Sequence, residues 1–249
     1  MGKKSKTAKY MQKNNDVRKV HPLFQEGPSW DPLAEYKGER DKKYLKTVKP
    51  RSEGQKELMD AINNYNLTLA IGPAGTGKTY LAIAAAVEAY ERGDIERIIL
   101  SRPAIEAGES IGYLPGDMQD KMAPYLRPLY DALHDRLGLK RLKHMMDSGE
   151  IEIAPVGYMR GRTLNNAFVV IDEAQNCTYV QIKMLLSRLG WHSTMVVTGD
   201  PDQSDLLSGM SGLSDIAGKL ENVENIAVCR LKEVDIVRHP LVAEMLEFI

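Results

Sequence analysis

A chain of 249 residues has room for one α/β core with an insertion and a tail, but not for two such cores. Hydrophobic residues at 43% and charged residues at 27% are ordinary for a globular chain, and with no run of about 18 apolar residues a membrane-spanning helix is excluded. The net charge of -1 is unevenly spread: residues 1–49 hold thirteen Lys or Arg against six Asp or Glu, and the remainder twenty against twenty-eight.

Residues 1–50 are Lys-rich, lack apolar periodicity and carry Pro22, Pro28, Pro32 and Pro50. They are expected to form an extended basic arm on an acidic body. Such an arm suits a polyanion, although a solvated tail explains the same charge. The arm begins without the apolar run of a signal peptide. Cys177 and Cys229 have no thiol or His at ligand spacing, which excludes a zinc site or disulfide framework and fits a reducing, cytoplasmic compartment.

Periodicity sets in at residue 51, and residues 51–249 read as one domain. Ser52 can cap a helix to about Tyr65, with Leu58, Ala61 and Ile62 on one face. Leu67–Ile71 is a short apolar run ending at a Gly-rich turn, as a buried strand does. A helix over Tyr80–Arg92, stopped by Gly93, leads to a strand at Arg97–Ser101. Residues 102–150 hold four prolines and two amphipathic patterns, Met118–Arg136 and Leu139–Ser148. They read as a helical insertion over about 104–150. Strands follow at Ile151–Ala154, Phe168–Asp172, Thr194–Thr198 and Asn225–Leu231. Helices follow at Val180–Leu189, at Leu213–Leu220 and from His239. This alternation predicts a mostly parallel sheet with helices on both faces, binding its ligand beyond the carboxyl ends of the strands.

Three motifs stand at those ends. Gly72-Pro73-Ala74-Gly75-Thr76-Gly77-Lys78-Thr79 matches the P-loop pattern between a strand and a helix. Its backbone N–H groups and the helix N-terminus suit phosphate oxygens, and Tyr80 closes the nucleotide-binding stretch. Lys78 would reach the β- and γ-phosphates, and the Thr79 hydroxyl would ligate Mg²⁺. The apolar run Val169-Val170-Ile171 delivers Asp172, placed to hold the Mg²⁺, and Glu173, placed to take a proton from the attacking water. Two adjacent solvated acids are the bland alternative. Thr198-Gly199-Asp200-Pro201-Asp202-Gln203 follows a third strand, and Gln203 can orient the water or report the γ-phosphate. Gly-Asp-Pro-Asp is also turn chemistry in its own right. A strand, Arg97–Ser101, also lies between the P-loop strand and the acidic one. This order matches the ATPase branch with an additional strand and a catalytic glutamate, and argues against a small-molecule kinase.

The stretches GPAGTGKTYLA, SRPAIEAGESIGYLPGD, YMRGRTLNNAFVVIDEAQN and TGDPDQ resemble the PhoH-like ATPases, over about residues 50–245. The family is similar to the first RecA-like domain of superfamily-one helicases. The resemblance implies a RecA-like P-loop NTPase that hydrolyses ATP with Mg²⁺, acts on RNA or single-stranded nucleic acid, and assembles as a homo-oligomer, with a hexameric ring among the forms. The PIN nuclease domain of some members has no room here. Residue by residue, the resemblance supports Lys78, Thr79, Asp172, Glu173 and Gln203 in the roles given. It adds Gln55, seventeen residues before Gly72, as an adenine-reading glutamine, since an amide can both donate and accept. A surface helix glutamine is the alternative there. It also draws attention to Arg160, Arg162 and Arg238 as cations for the γ-phosphate in the transition state, each equally readable as a surface ion pair. Arg102 starts the segment where helicases touch the strand backbone. Lys121, Arg127, Arg136, Lys140, Arg141 and Lys143, interleaved with Tyr125 and Tyr130, form either a nucleic-acid face or a solvated helix face. The alternative to a nucleic-acid-coupled ATPase is a slow nucleotide-dependent switch that recruits partners without unwinding.

Overall fold

Six short apolar runs become six parallel strands: β1 Leu67–Ile71, β2 Arg97–Arg102, β3 Ile151–Pro155, β4 Ala167–Ile171, β5 Thr194–Gly199 and β6 Ile226–Arg230. The computed structural model describes residues 31–36, 47–103, 118–207, 209–237 and 245. Residues 1–30, 37–46 and 104–117, and the segment with Arg238 and the helix expected from His239, lie outside the described residues. The spatial order is β3-β2-β4-β5-β1-β6, with every pairing parallel. β1 and β4 are buried at every position, which is why they read as unbroken apolar runs rather than alternating ones.

Side chains along a strand alternate between faces, so the sheet carries two cores. On one face Ile98, Leu100, Phe168 and Val170 pack with Leu58, Ile83, Leu133 and Met145. These last four come from α1 (Glu53–Asn64), α2 (Lys78–Arg92), α3 (Met118–Leu137) and α4 (Leu139–Asp147). On the other face Ile99, Val169 and Ile171 meet Ile182 and Ile216. These belong to α5 (Tyr179–Leu186) and α6 (Leu213–Leu220). Local chemistry sets the helix ends. The Ser52 hydroxyl accepts from the Gln55 N–H at 3.2 Å, and Gly93, at φ +78°, stops α2 in the left-handed region.

In the sheet Arg97–Ser101 is not the strand between the P-loop strand and the acidic one, because chain order differs from sheet order. The strand between the P-loop strand and the acidic strand in the sheet is β5, while β2 lies beyond β4. β5 pairs Gly199 with Ile71 on one side and Val197 with Ile171 on the other. Three strands therefore end together, each with its own polar loop.

Two expectations change. Tyr130 and Arg136 are buried against the core face of α3 and cannot offer a stacking platform; burial pushes the Tyr130 phenol up to about 12. Arg136 faces Glu88 of α2 at 3.5 Å. Arg127, Lys140, Arg141 and Lys143 are on the exposed side. The arm also contributes to the core. Leu33 is buried with the α1–α4 face, and Tyr36 stacks on His134 with ring centroids 4.1 Å apart while its hydroxyl donates to Asp131. Among the described residues no helix is long and apolar enough to cross a membrane.

Candidate active site

β1 ends at Ile71, and the next residue must pass the chain of β6 closely. A Cβ on Gly72, at φ +145°, would lie 2.4 Å from the Leu231 carbonyl oxygen. The loop then turns through Gly75 and Gly77 at φ +81° and +82°, and α2 begins at Lys78. Lys78 is buried, and its Nζ donates to the carbonyls of Gly72 at 2.6 Å and Pro73 at 2.7 Å. Burial lowers its pKa, while Asp200, Glu173 and Asp172 pull it back up.

A cavity of about 300 Å³ opens over this loop. Ala74, Gly75, Gly77, Lys78, Thr79 and Tyr80 line one side, and Asp172, Glu173, Thr198, Gly199, Asp200 and Gln203 line the other. Gly72, Pro73 and Thr76 shape the loop from behind: the Thr76 hydroxyl donates to the Pro73 carbonyl at 2.9 Å.

Asp172, the residue after β4, is only 2% exposed. Its Oδ1 accepts from the Thr79 hydroxyl at 2.6 Å and from the Thr198 hydroxyl at 2.7 Å. Arg102, at the end of β2, brings one guanidinium nitrogen to 3.5 Å from Asp172 Oδ2 and the other to 3.4 Å from Glu173 Oε1. Glu173 has φ +53°, a left-handed conformation uncommon for a residue with a side chain. The tight turn Ala174–Asn176 follows, closed by the Asn176 N–H on the Glu173 carbonyl at 3.0 Å. Glu173 Oε2 accepts from Gln175 Nε2 at 2.5 Å. From β5, Asp200 accepts from the Ala74 N–H at 3.1 Å and from the Asp202 N–H at 3.1 Å, and Gln203 sits exposed at the cavity's edge.

Gln55 is not a surface glutamine. It is 4% exposed, its Nε2 donates to the Thr76 carbonyl at 3.0 Å, and its Oε1 accepts from the Arg51 N–H at 2.9 Å. It braces the P-loop against the start of α1 and does not line the cavity. Arg162 turns away to Glu152 near the start of β3, with contacts of 2.5 and 2.7 Å that hold the Glu152 carboxyl below its usual range. Arg160 is exposed, and neither arginine lines the cavity. Arg238 lies outside the described residues; its neighbour Val237 donates its N–H to the Gly75 carbonyl at 3.0 Å. Sequence alone assigns no role to Thr198, Asp200 or Gln175. Their one signal is position, at or within four residues of the carboxyl ends of two apolar strands.

The Thr79 and Asp172 oxygens, with Thr198 beside them, are hard donors of the kind Mg²⁺ takes. Among the described residues no group of three His, Cys, Asp or Glu forms a denser metal site.

The PhoH-like protein family model matches residues 47–249. A PhoH-like protein of Bacillus subtilis (strain 168) is 53% identical over 203 residues, covering 81% of this chain and 64% of its own. Protein PhoH of Escherichia coli (strain K12) is 44% identical over 205 residues, covering 81% of this chain and 58% of its own. The chain thus spans less than two thirds of the length of these relatives. Among solved structures, the large terminase of a thermophilic bacteriophage in complex with ADP overlaps with a TM-score of 0.48 at 11% identity, covering 80% of this chain and 50% of that one.

Proposed function

The chain belongs to the PhoH-like family, and on that premise we propose that it binds Mg-ATP and hydrolyses it, coupled to RNA or another single-stranded nucleic acid, as a ring of identical subunits. The observation that carries the reading is the convergence of Lys78, Thr79, Asp172, Glu173 and Gln203 on one cavity at the carboxyl ends of β1, β4 and β5.

In this reading the loop N–H groups take the phosphates, and Lys78 leaves the carbonyls of Gly72 and Pro73 for the β- and γ-oxygens. Thr79 and Asp172 would hold Mg²⁺, which neutralises charge on those oxygens. Gln203 orients a water. The water oxygen attacks the γ-phosphorus, the bond to the β,γ-bridging oxygen breaks, and ADP leaves with the electron pair. The water's proton passes to Glu173 and then to solvent. Gln55 reads adenine with the same amide that braces Thr76. Arg238 contributes across a subunit boundary. The exposed basic side chains of α3 and α4 and the basic residues 1–49 meet the nucleic-acid backbone.

One observation favours the slow-switch alternative: the Arg102 guanidinium lies beside both acidic side chains and competes for Glu173. Phosphate release without polymer, with single-stranded RNA and with single-stranded DNA separates the two. The motor reading expects stimulation by a polymer; equal slow rates in all three favour the switch. Glu173→Gln should bind Mg-ATP normally and turn over about 10²-fold slower. Unchanged turnover would remove Glu173 from the chemistry.

A further inference from the structure

We propose that Gln175 is a positioning residue that fixes the Glu173 carboxylate to the loop carrying Gln203, an inference that rests on Glu173 being the base in the reading above. Gln175 is 2% exposed and lies behind the cavity rather than in its lining. Its amide is used at both ends. Nε2 donates to Glu173 Oε2 at 2.5 Å and reaches the Gln203 carbonyl at 3.4 Å, while Oε1 accepts from the Asp200 N–H at 3.1 Å. Its main-chain carbonyl accepts from the Ser204 hydroxyl at 3.0 Å.

The site is shaped around this amide. A Cβ on Gly199 would lie 2.5 Å from Leu213 Cδ2 and 2.8 Å from Gln175 Oε1, so β5 ends in a residue with no side chain to crowd either the leucine or the amide. Asp200, which donates to Gln175 through its N–H, also accepts from Ala74 of the P-loop at 3.1 Å. A continuous path of hydrogen bonds therefore runs from Glu173 through Gln175 and Asp200 to the phosphate-binding loop.

The left-handed backbone of Glu173 aims its side chain but leaves the torsions to the carboxylate free to turn. Among the described residues two side chains hold that carboxylate: Arg102, partly solvated, and Gln175, buried. The primary amide places a donor on Glu173 and an acceptor on Asp200 in one rigid plane. Glutamate keeps the acceptor and loses the donor; leucine loses both.

The test uses the full chain with single-stranded RNA, comparing wild type, Gln175→Glu and Gln175→Leu in steady-state ATP hydrolysis and in binding of Mg-ATPγS. Both variants should lose about 10- to 10²-fold in kcat, the cost of a misplaced catalytic group, with KM and Mg-ATPγS affinity changed less than about threefold. Wild-type kcat in Gln175→Glu would overturn the proposal, because holding Asp200 would then be enough. A loss in affinity as large as the loss in kcat would also overturn it, because Gln175 would then serve the P-loop. A second comparison tests the coupling itself, with the folded fraction of each variant matched by thermal unfolding. Adding Gln175→Leu to Glu173→Gln should cost less than about twofold further, since the carboxylate it positions is already gone; a further tenfold loss counts against the proposal. Lys78→Ala is the control for the underlying reading: if it hydrolyses ATP as fast as wild type, the hydrolysis is not carried by this P-loop, and the reading on which the proposal rests fails before Gln175 is tested.

Discussion

The Thr79 hydroxyl donates to Asp172 Oδ1 at 2.6 Å, although β1 and β4, the strands that lead to these residues, are not neighbours in the sheet. β5 stands between them, and its Thr198 donates to the same oxygen at 2.7 Å. A carboxylate as buried as Asp172 is costly without donors, and the two hydroxyls supply them, one from the first turn of α2 and one from the end of β5.

Thr198→Val keeps the shape and removes one of these donors. Losing a hydrogen bond to a buried charged group should cost about 1.5–3 kcal/mol. For a chain of this size each kcal/mol lowers Tm by about 2–4 °C. Mg-ADP should recover part of the loss, since a ligand that binds only the folded state stabilises it. Thermal unfolding with and without Mg-ADP checks this. An unchanged Tm would mean that the Thr198 hydroxyl is dispensable.

Lys78 should make nucleotide binding proton-linked. Burial lowers its pKa from the ordinary 10.5, so between the lowered value and 10.5 the unfolded chain binds more protons at this site than the folded one. Its contribution to stability therefore rises with pH across that window. Bound polyphosphate reverses the shift. ATP binding should take up a proton on the alkaline side, and affinity should fall as pH rises. Calorimetry in two buffers of different ionisation heat reads the uptake. Lys78→Met should lose both the uptake and most of the binding.

Truncation should separate charge from stability in the N-terminal residues. Residues 1–30 carry seven Lys or Arg against two Asp or Glu, whereas Leu33 belongs to the core. Deleting 1–30 should flatten the salt dependence of RNA binding and leave Tm unchanged. Leu33→Ala should lower stability by about 2–5 kcal/mol, the range for a buried leucine. An unchanged salt slope would leave the exposed basic side chains of α3 and α4 as the nucleic-acid contact.

Arg238 can be assigned to its own or a neighbouring site by mixing two inactive variants. If Arg238 acts across a subunit boundary, Arg238→Ala and Glu173→Gln complement each other wherever an intact Glu173 meets an intact Arg238. For random exchange in a cyclic assembly about a quarter of the sites should recover. Absence of recovery, with exchange shown separately, would mean that Arg238 works within its own chain, where Val237 is bonded to Gly75, or does not touch ATP at all.

The local features were legible in the sequence. Unbroken apolar runs imply a parallel sheet, the P-loop spacing sets a helix start at a strand end, and Asp172-Glu173 after Val169-Val170-Ile171 places two acids at the sheet's carboxyl edge. Each is a property of a few consecutive residues, set by side-chain period and backbone conformation. Partners across the sheet were not legible. Thr79 and Asp172 are 93 positions apart, and no periodicity relates them. Nor does it show that β5 rather than β2 separates β1 from β4, that Gln55 faces Thr76, or that Arg162 turns to Glu152. Periodicity marks which face of an element is apolar but not which element that face meets. Tyr130 and Arg136 illustrate this: their spacing among basic residues suited an exposed face, and packing of α3 on α2 and the sheet put them inside. The tertiary structure decided these contacts because they follow from strand order, which is set by how the cores on the two faces of the sheet are filled together.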